Sequence, residues 1–303
     1  MITKEYQMIN NKEQCLVTFS TSQENPVILY LHGGPGDSCS PLIEKFNQNL
    51  SNNYTIVVWE QRGSGLSYYK FSDGDTPVLQ DYVDDARVIL EYLNTKYESK
   101  SIFLMGHSWG SVLGIKCVTQ FPELISSYIG IGQVVQMKET YHNQQNFINQ
   151  ERCKSGKKNV EIKDIDFNSK DWMKSVLNSA KEVVKYGGSL YSRSNQNYLV
   201  WPFFNSKIYR KRDLINRQMG SKQSIQMLWQ ELMTIDFSNL TKFSVPIYLI
   251  EGLHDEHVSA NLAMEWCENI ETKKNLKIFE KSGHFPQWEE PEHFNSVIHE
   301  LLK

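Results

Sequence analysis

Ser101-Ile102-Phe103-Leu104-Met105-Gly106-His107-Ser108-Trp109-Gly110-Ser111, residues 101–111, sets a short apolar run against a Gly-x-Ser-x-Gly turn. The run reads as a buried strand, and residues 109–121 read as a helix ending near Phe121-Pro122. A turn from strand to helix at this spacing is so tight that the residues two places either side of the serine must be small. Gly106 and Gly110, with Ser111 next to the latter, meet that need. The turn would lift the Ser108 hydroxyl above the carboxyl ends of the strands, at the N-terminus of the following helix. There the helix dipole and free N–H groups favour developing negative charge. Without the flanking strand and helix, the same residues would be an ordinary serine in a glycine-rich turn.

The alternation extends on both sides. Val27-Ile28-Leu29-Tyr30-Leu31 is a continuous apolar run, expected to be a strand buried on both faces, and it ends in His32-Gly33-Gly34-Pro35-Gly36. Before it, alternating residues around Asn10-Asn11 predict a hairpin. Residues 54–59 and 126–131 predict two more buried strands, and 78–97 a helix with Tyr82, Ala86, Ile89 and Leu93 on one face. Residues 133–240 break the pattern: they are polar, helical in places and without a buried strand. The alternation resumes with a strand at 245–250, a helix at 259–269, a strand at 276–279 and a helix from Pro291. The expected architecture is α/β, a mostly parallel twisted sheet flanked by helices. Residues 1–132 and 241–303 would form the core domain, and 133–240 an inserted helical cap. Trp172, Tyr191, Tyr198, Trp201, Phe203, Phe204 and Trp229 would supply the cap's own core or the lining of an apolar pocket.

The chain has 303 residues, 40% hydrophobic and 22% charged, which is ordinary for a globular protein. No apolar run reaches the roughly 18 residues of a membrane-spanning helix, and residues 1–14 lack the apolar stretch of a signal peptide. A cytoplasmic location is therefore expected, with neither nucleic acid nor membrane as a partner. Five scattered cysteines without a CxxC point to free thiols, not a disulfide framework or a zinc site. The net charge of −3 hides an asymmetry: residues 133–240 hold 17 Lys and Arg against 10 Asp and Glu. The inserted segment thus carries a surface character of its own.

A serine is a weak nucleophile unless a base takes its proton and an acid orients that base. The acid is expected in the loop after a late strand, where Gly252-Leu253-His254-Asp255-Glu256-His257 offers Asp255, with Glu256 as the alternative. The base is expected in the next strand-end loop, Ser282-Gly283-His284, which selects His284. His142, His293 and His299 lack that context. His254 and His257 decorate the acid loop, His107 packs beside the serine, and His32 makes structural hydrogen bonds. An oxyanion would need two aimed donors, expected from the N–H groups of Trp109 and Gly34. No cofactor and no metal is expected.

With Leu31-His32-Gly33-Gly34-Pro35-Gly36, Glu60-Gln61-Arg62-Gly63-Ser64-Gly65-Leu66-Ser67, the Ser108 turn and Ser282-Gly283-His284 in this order, the chain resembles the α/β-hydrolase family. Within it, the chain is similar to the proline iminopeptidases. Many relatives have Asp at the position of Glu60, which is expected to be structural and near the sheet edge. Arg62 is expected to anchor its loop by charge-assisted hydrogen bonds. The resemblance implies a serine hydrolase that cleaves an N-terminal proline, or a small amide or ester. It also implies cap carboxylates that hold the substrate's free amine. Glu231 is the candidate for that role, although a cap with a net charge of +7 works against recruiting a cation. A carboxylesterase, lactonase or amidase acting on small acyl groups, or a ligand receptor on a hydrolase fold, are the alternatives. A serine at the elbow disfavours the dehalogenase and epoxide hydrolase chemistries of this fold, which use an aspartate there.

Overall fold

Asn10 and Asn11 take φ of 45° and 63°, a turn that suits the twist of a two-residue hairpin. They join β1 (Ile2–Ile9) to β2 (Lys12–Phe19) in antiparallel register. The chain is described here from a computed structural model covering residues 1–303 apart from 73, 99 and 100. The further strands are β3 (Val27–Leu31), β4 (Thr55–Glu60), β5 (Ile102–His107), β6 (Ser127–Ile131), β7 (Ile247–Gly252) and β8 (Lys274–Phe279). They form one sheet in the order β1-β2-β4-β3-β5-β6-β7-β8. From β4 to β8 every pairing is parallel; β2 meets β4 antiparallel.

The helices are α1 (Ser40–Leu42), α2 (Leu79–Lys96), α3 (Trp109–Gln120), α4 (Met137–Lys154), α5 (Trp172–Lys185), α6 (Asn197–Asn205), α7 (Lys211–Leu232), α8 (Ala260–Asn269), α9 (Pro286–Glu289) and α10 (Pro291–Leu301). Both faces of the sheet are covered, which explains the uninterrupted apolar runs. Leu29, Leu31, Val57 and Leu104 point to one layer with Leu90 of α2, Val112 of α3 and Trp266 of α8. Their neighbours Ile28, Tyr30, Ile56 and Met105 point to the other, with Leu42 of α1 and Phe294 and Ile298 of α10. Burying one such side chain contributes about 1.5–3 kcal/mol relative to leaving it in water.

Four helices, α4 to α7, lie between β6 and β7. The two ends of this segment run side by side: Met137 N–H donates to the Ile235 carbonyl (3.0 Å) and Phe237 N–H to that of Val135 (2.8 Å). The segment therefore leaves and rejoins the sheet at one place. Its last helix is not separate from the core, because Leu228 and Leu232 of α7 share the apolar layer of α2 and α3. Its aromatics divide: Phe203 is buried, whereas Trp201 and Phe204 are 68% and 63% exposed, so these two are not the interior residues expected. Glu60 also departs from expectation. It ends β4, an interior strand between β2 and β3, and not one near the edge. Its buried carboxyl accepts from Ser40 Oγ, the Tyr209 hydroxyl and, at 3.2 Å, the Leu66 N–H, and burial raises its pKa.

Among the described residues no helix is long and apolar enough to cross a membrane. All five cysteines are free, and Cys153 alone of the five is exposed.

Candidate active site

β5 runs to His107, Ser108 takes φ 54° and ψ −119°, and α3 begins at Trp109. A positive φ on a non-glycine residue carries strain of about 1–3 kcal/mol, held only where the surroundings enforce it. Here they do. A Cβ at Gly110 would lie 2.1 Å from the Leu31 carbonyl oxygen, and one at Gly106 would lie 2.4 Å from that of Gly110. The small residues let β3, β5 and α3 close on the turn, and Ser108 N–H donates to the Ile131 carbonyl at 3.0 Å.

Asp255 follows β7 and His284 follows β8, so adjacent strands deliver both loops to the same end of the sheet as Ser108. His284 Nδ1 is 2.7 Å from Asp255 Oδ2. The other carboxylate oxygen, Oδ1, accepts the backbone N–H groups of His257 and Val258, each at 2.8 Å. Asp255 thus has one oxygen fixed by its own loop and one left for the imidazole. With Nδ1 engaged, Nε2 is the free ring nitrogen. Burial pushes the Asp255 carboxyl up to about 7, opposed by those two N–H bonds, and pushes the imidazole down. Because the two groups share one hydrogen bond, their titrations are coupled.

Ser108 and His284 line one cavity of about 170 Å³, together with Gly33, Gly34, Asp37 and His257. Among the described residues, the N–H groups of Gly34 and Trp109 donate to no protein acceptor. Gly34 lines the cavity, and α3 presents the positive end of its dipole at Trp109, next to Ser108. Glu256 does not replace Asp255: its own N–H is held by the Gly188 carbonyl at 2.9 Å, while Asp255 holds the imidazole. Glu231 does not line the cavity. Its carboxylate accepts the Leu79 N–H at 2.8 Å, capping the first turn of α2. The acidic side chain on the cavity wall is Asp37, whose Oδ1 is 2.5 Å from Arg217 Nε of α7.

His32 accepts the Gln61 N–H at Nε2 (3.1 Å), and His107 donates from Nε2 to the His284 carbonyl (2.9 Å). Arg62 grips Asp85 with two bonds of 2.6 Å, which anchors its loop.

Three features lie outside what sequence pattern reveals. His257 stacks on His284 with centroids 4.9 Å apart, and its Nδ1 is 3.0 Å from Ser189 Oγ in the segment between α5 and α6. Glu289 accepts the N–H groups of Gly283 (2.9 Å) and Phe285 (3.3 Å), bracketing His284. Gly132 sits at φ +53°, and a Cβ there would lie 2.9 Å from the His284 ring. A one-carbon addition at this point therefore meets both strain and collision. Gly132→Ala is expected to lower unfolding free energy by about 1–3 kcal/mol, measured by denaturant titration. An unchanged midpoint would mean that the loop yields freely.

The family described as serine aminopeptidase, S33, matches residues 22–291. The protein named "Probable aminopeptidase YbaC" from Bacillus subtilis (strain 168) is 27% identical over 301 residues, covering 96% of this chain and 93% of that protein. A proline iminopeptidase from Heyndrickxia coagulans is 24% identical, covering 94% of each. The crystal structure of a proline iminopeptidase-related protein from Thermus thermophilus superposes with a TM-score of 0.67 at 17% identity. It covers 100% of this chain and 97% of that one, a likeness of fold alone.

Proposed function

The chain belongs to the serine aminopeptidase S33 family, and from that membership we propose a proline iminopeptidase-like aminopeptidase that releases N-terminal residues from short peptides. The observation that carries the reading is the joint placement of Ser108 and His284 on one cavity, with His284 held by Asp255 at 2.7 Å. In this reading Ser108 Oγ attacks the scissile carbonyl and its proton passes to His284 Nε2. The same nitrogen then protonates the leaving amine, and water, deprotonated by His284, cleaves the acyl-enzyme. The Gly34 and Trp109 N–H groups hold the oxyanion, a contribution of about 3–4 kcal/mol per donor. Residues 133–240 act as the cap over this site. The relatives' names support a peptidase, and the small cavity suits a compact N-terminal residue.

One observation favours a second reading. Asp37, the carboxylate on the cavity wall, is already paired with Arg217, so a substrate amine would have to share it. An uncharged acyl group needs no free carboxylate, which suits a carboxylesterase, lactonase or amidase. Prolyl-, alanyl- and leucyl-naphthylamides assayed beside p-nitrophenyl esters decide between the two. Selective turnover of the prolyl amide is expected; ester turnover alone would replace the first reading with the second. A fluorophosphonate probe should label Ser108. No labelling would end the hydrolase reading, and labelling with a single turnover would leave a receptor.

The active form requires Asp255 ionised and His284 neutral. Burial raises the first group to about 7 and lowers the second, so activity is lost as pH falls through about 7. A plot of kcat/KM against pH should show this single acid limb. A flat profile between about pH 5 and 8 would show that protonation of Asp255 does not switch the activity off.

A further inference from the structure

We propose that the face built from α6 and the start of α7 docks on the surface of an anionic phospholipid bilayer. On α6, Leu199, Pro202 and Phe203 are buried, while Val200, Trp201 and Phe204 are 38%, 68% and 63% exposed. The exposed three stand at i, i+1 and i+4, on one side of the helix. The Trp201 and Phe204 ring centroids are 6.3 Å apart, so they form one aromatic surface. On α7 the exposed Arg212, Ile215, Met219 and Lys222 follow at i, i+3, i+7 and i+10, a stripe apolar in the middle and basic at both ends. Beneath the exposed side chains the Arg217 guanidinium of α7 lies 4.1 Å over the buried Phe203 ring of α6.

Charge selects the partner. Residues 187–230 before Glu231 hold seven cations against one carboxylate, Asp213; Arg217 is paired with Asp37, which leaves Arg193, Lys207, Arg210, Lys211, Arg212 and Lys222 exposed. Asp213 is already engaged, accepting the Arg210 N–H at 2.7 Å. This stretch therefore holds most of the positive excess of residues 133–240. Exposed aromatic and aliphatic side chains in the same segment as exposed cations match the headgroup–acyl boundary of an anionic membrane, where rings enter the boundary and cations meet phosphates. A second copy of the chain is a poorer occupant, because a twofold contact would set these cations against themselves. Peripheral docking needs no spanning helix, so the expectation of no membrane partner, which rested on spans, does not weigh against it. Gln196, which lines the cavity, immediately precedes α6, so docking would hold the cavity mouth close to the lipid.

The test uses the full chain and sucrose-loaded vesicles, of phosphatidylcholine alone or with phosphatidylglycerol, in about 0.1 M salt. Cosedimentation is expected with the anionic vesicles only. It should fall by about tenfold or more in Trp201→Ala/Phe204→Ala, and likewise in Lys211→Glu/Arg212→Glu, as both halves of the signal are needed. These side chains are exposed, so the variants should keep the wild-type circular dichroism and hydrolytic rate. Three results would overturn the proposal: no binding to anionic vesicles; binding lost with the charge reversal but kept without the aromatics, as in simple polyanion adsorption; or a vesicle-free dimer that Trp201→Ala/Phe204→Ala dissolves.

Discussion

Ser108→Ala is expected to reduce kcat/KM by roughly 10⁴–10⁶-fold, the range in which a serine nucleophile and its base act as one unit. Thermal stability should change little, by less than about 2 °C. The reason lies in which atoms of Ser108 the fold uses. Its backbone N–H bonds the Ile131 carbonyl at 3.0 Å, and its carbonyl accepts the Ser111 hydroxyl at 2.6 Å; alanine keeps both. Alanine also keeps the backbone strain at φ 54°. Ser108→Gly separates the two contributions. It should be equally inactive, yet relief of about 1–3 kcal/mol of strain offsets the roughly 0.5–1 kcal/mol that glycine loses in entropy. The glycine variant should therefore unfold no earlier than the alanine variant. A steady-state assay beside calorimetry reads both. Retained turnover in the alanine variant would end the proposed mechanism, and a large fall in its melting temperature would make Ser108 a packing residue.

The succession of strands along the chain, the elbow and the loops carrying Asp255 and His284 are legible in the sequence because each is a local pattern. A buried parallel strand is a short apolar run, and a tight turn demands glycines at fixed offsets. The strand ends then follow from chain order. What is not legible depends on tertiary contact. Gly132 is one glycine among 17 until its missing Cβ is seen to make room for the His284 ring. Glu289 lies five residues past His284, before the helix expected from Pro291, and no motif marks it, yet it returns to clamp the loop on either side of that ring. His257 reads as decoration because its neighbour Asp255 has the better context. Its stacking on His284 and its bond to Ser189 arise from a distant segment. Glu60 reads as a residue near the sheet edge because strand order in space differs from order in sequence: β3 and β4 exchange places beside β2. Glu231 suggests an amine ligand on residue type alone, and the fold uses it to cap α2.

Asp255→Asn is expected to lower kcat by about 10⁴-fold, as the loss of a triad aspartate does when geometry survives but the imidazole tautomer is wrong. The local bonding makes that outcome specific. Asp255 accepts three N–H donors: two backbone groups on Oδ1 and the imidazole Nδ1 on Oδ2. An asparagine has one oxygen and one NH₂ in the same places. Turning its oxygen toward His257 and Val258 satisfies the two backbone donors and presents NH₂ to His284. The ring must then accept at Nδ1 and carry its proton on Nε2, where it cannot take a proton from Ser108. Turning the amide the other way keeps the tautomer but sets NH₂ against two N–H groups, each left unsatisfied at about 1–3 kcal/mol. The first arrangement wins, so the fold persists while the chemistry fails. The pH profile gives a second readout. Without the carboxyl that titrates near 7, residual activity depends on His284 alone, whose pKa burial lowers. The acid limb of the variant should therefore move below that of the parent enzyme. An unmoved limb, or a variant within about tenfold of the parent rate, would show that Asp255 does not orient the base.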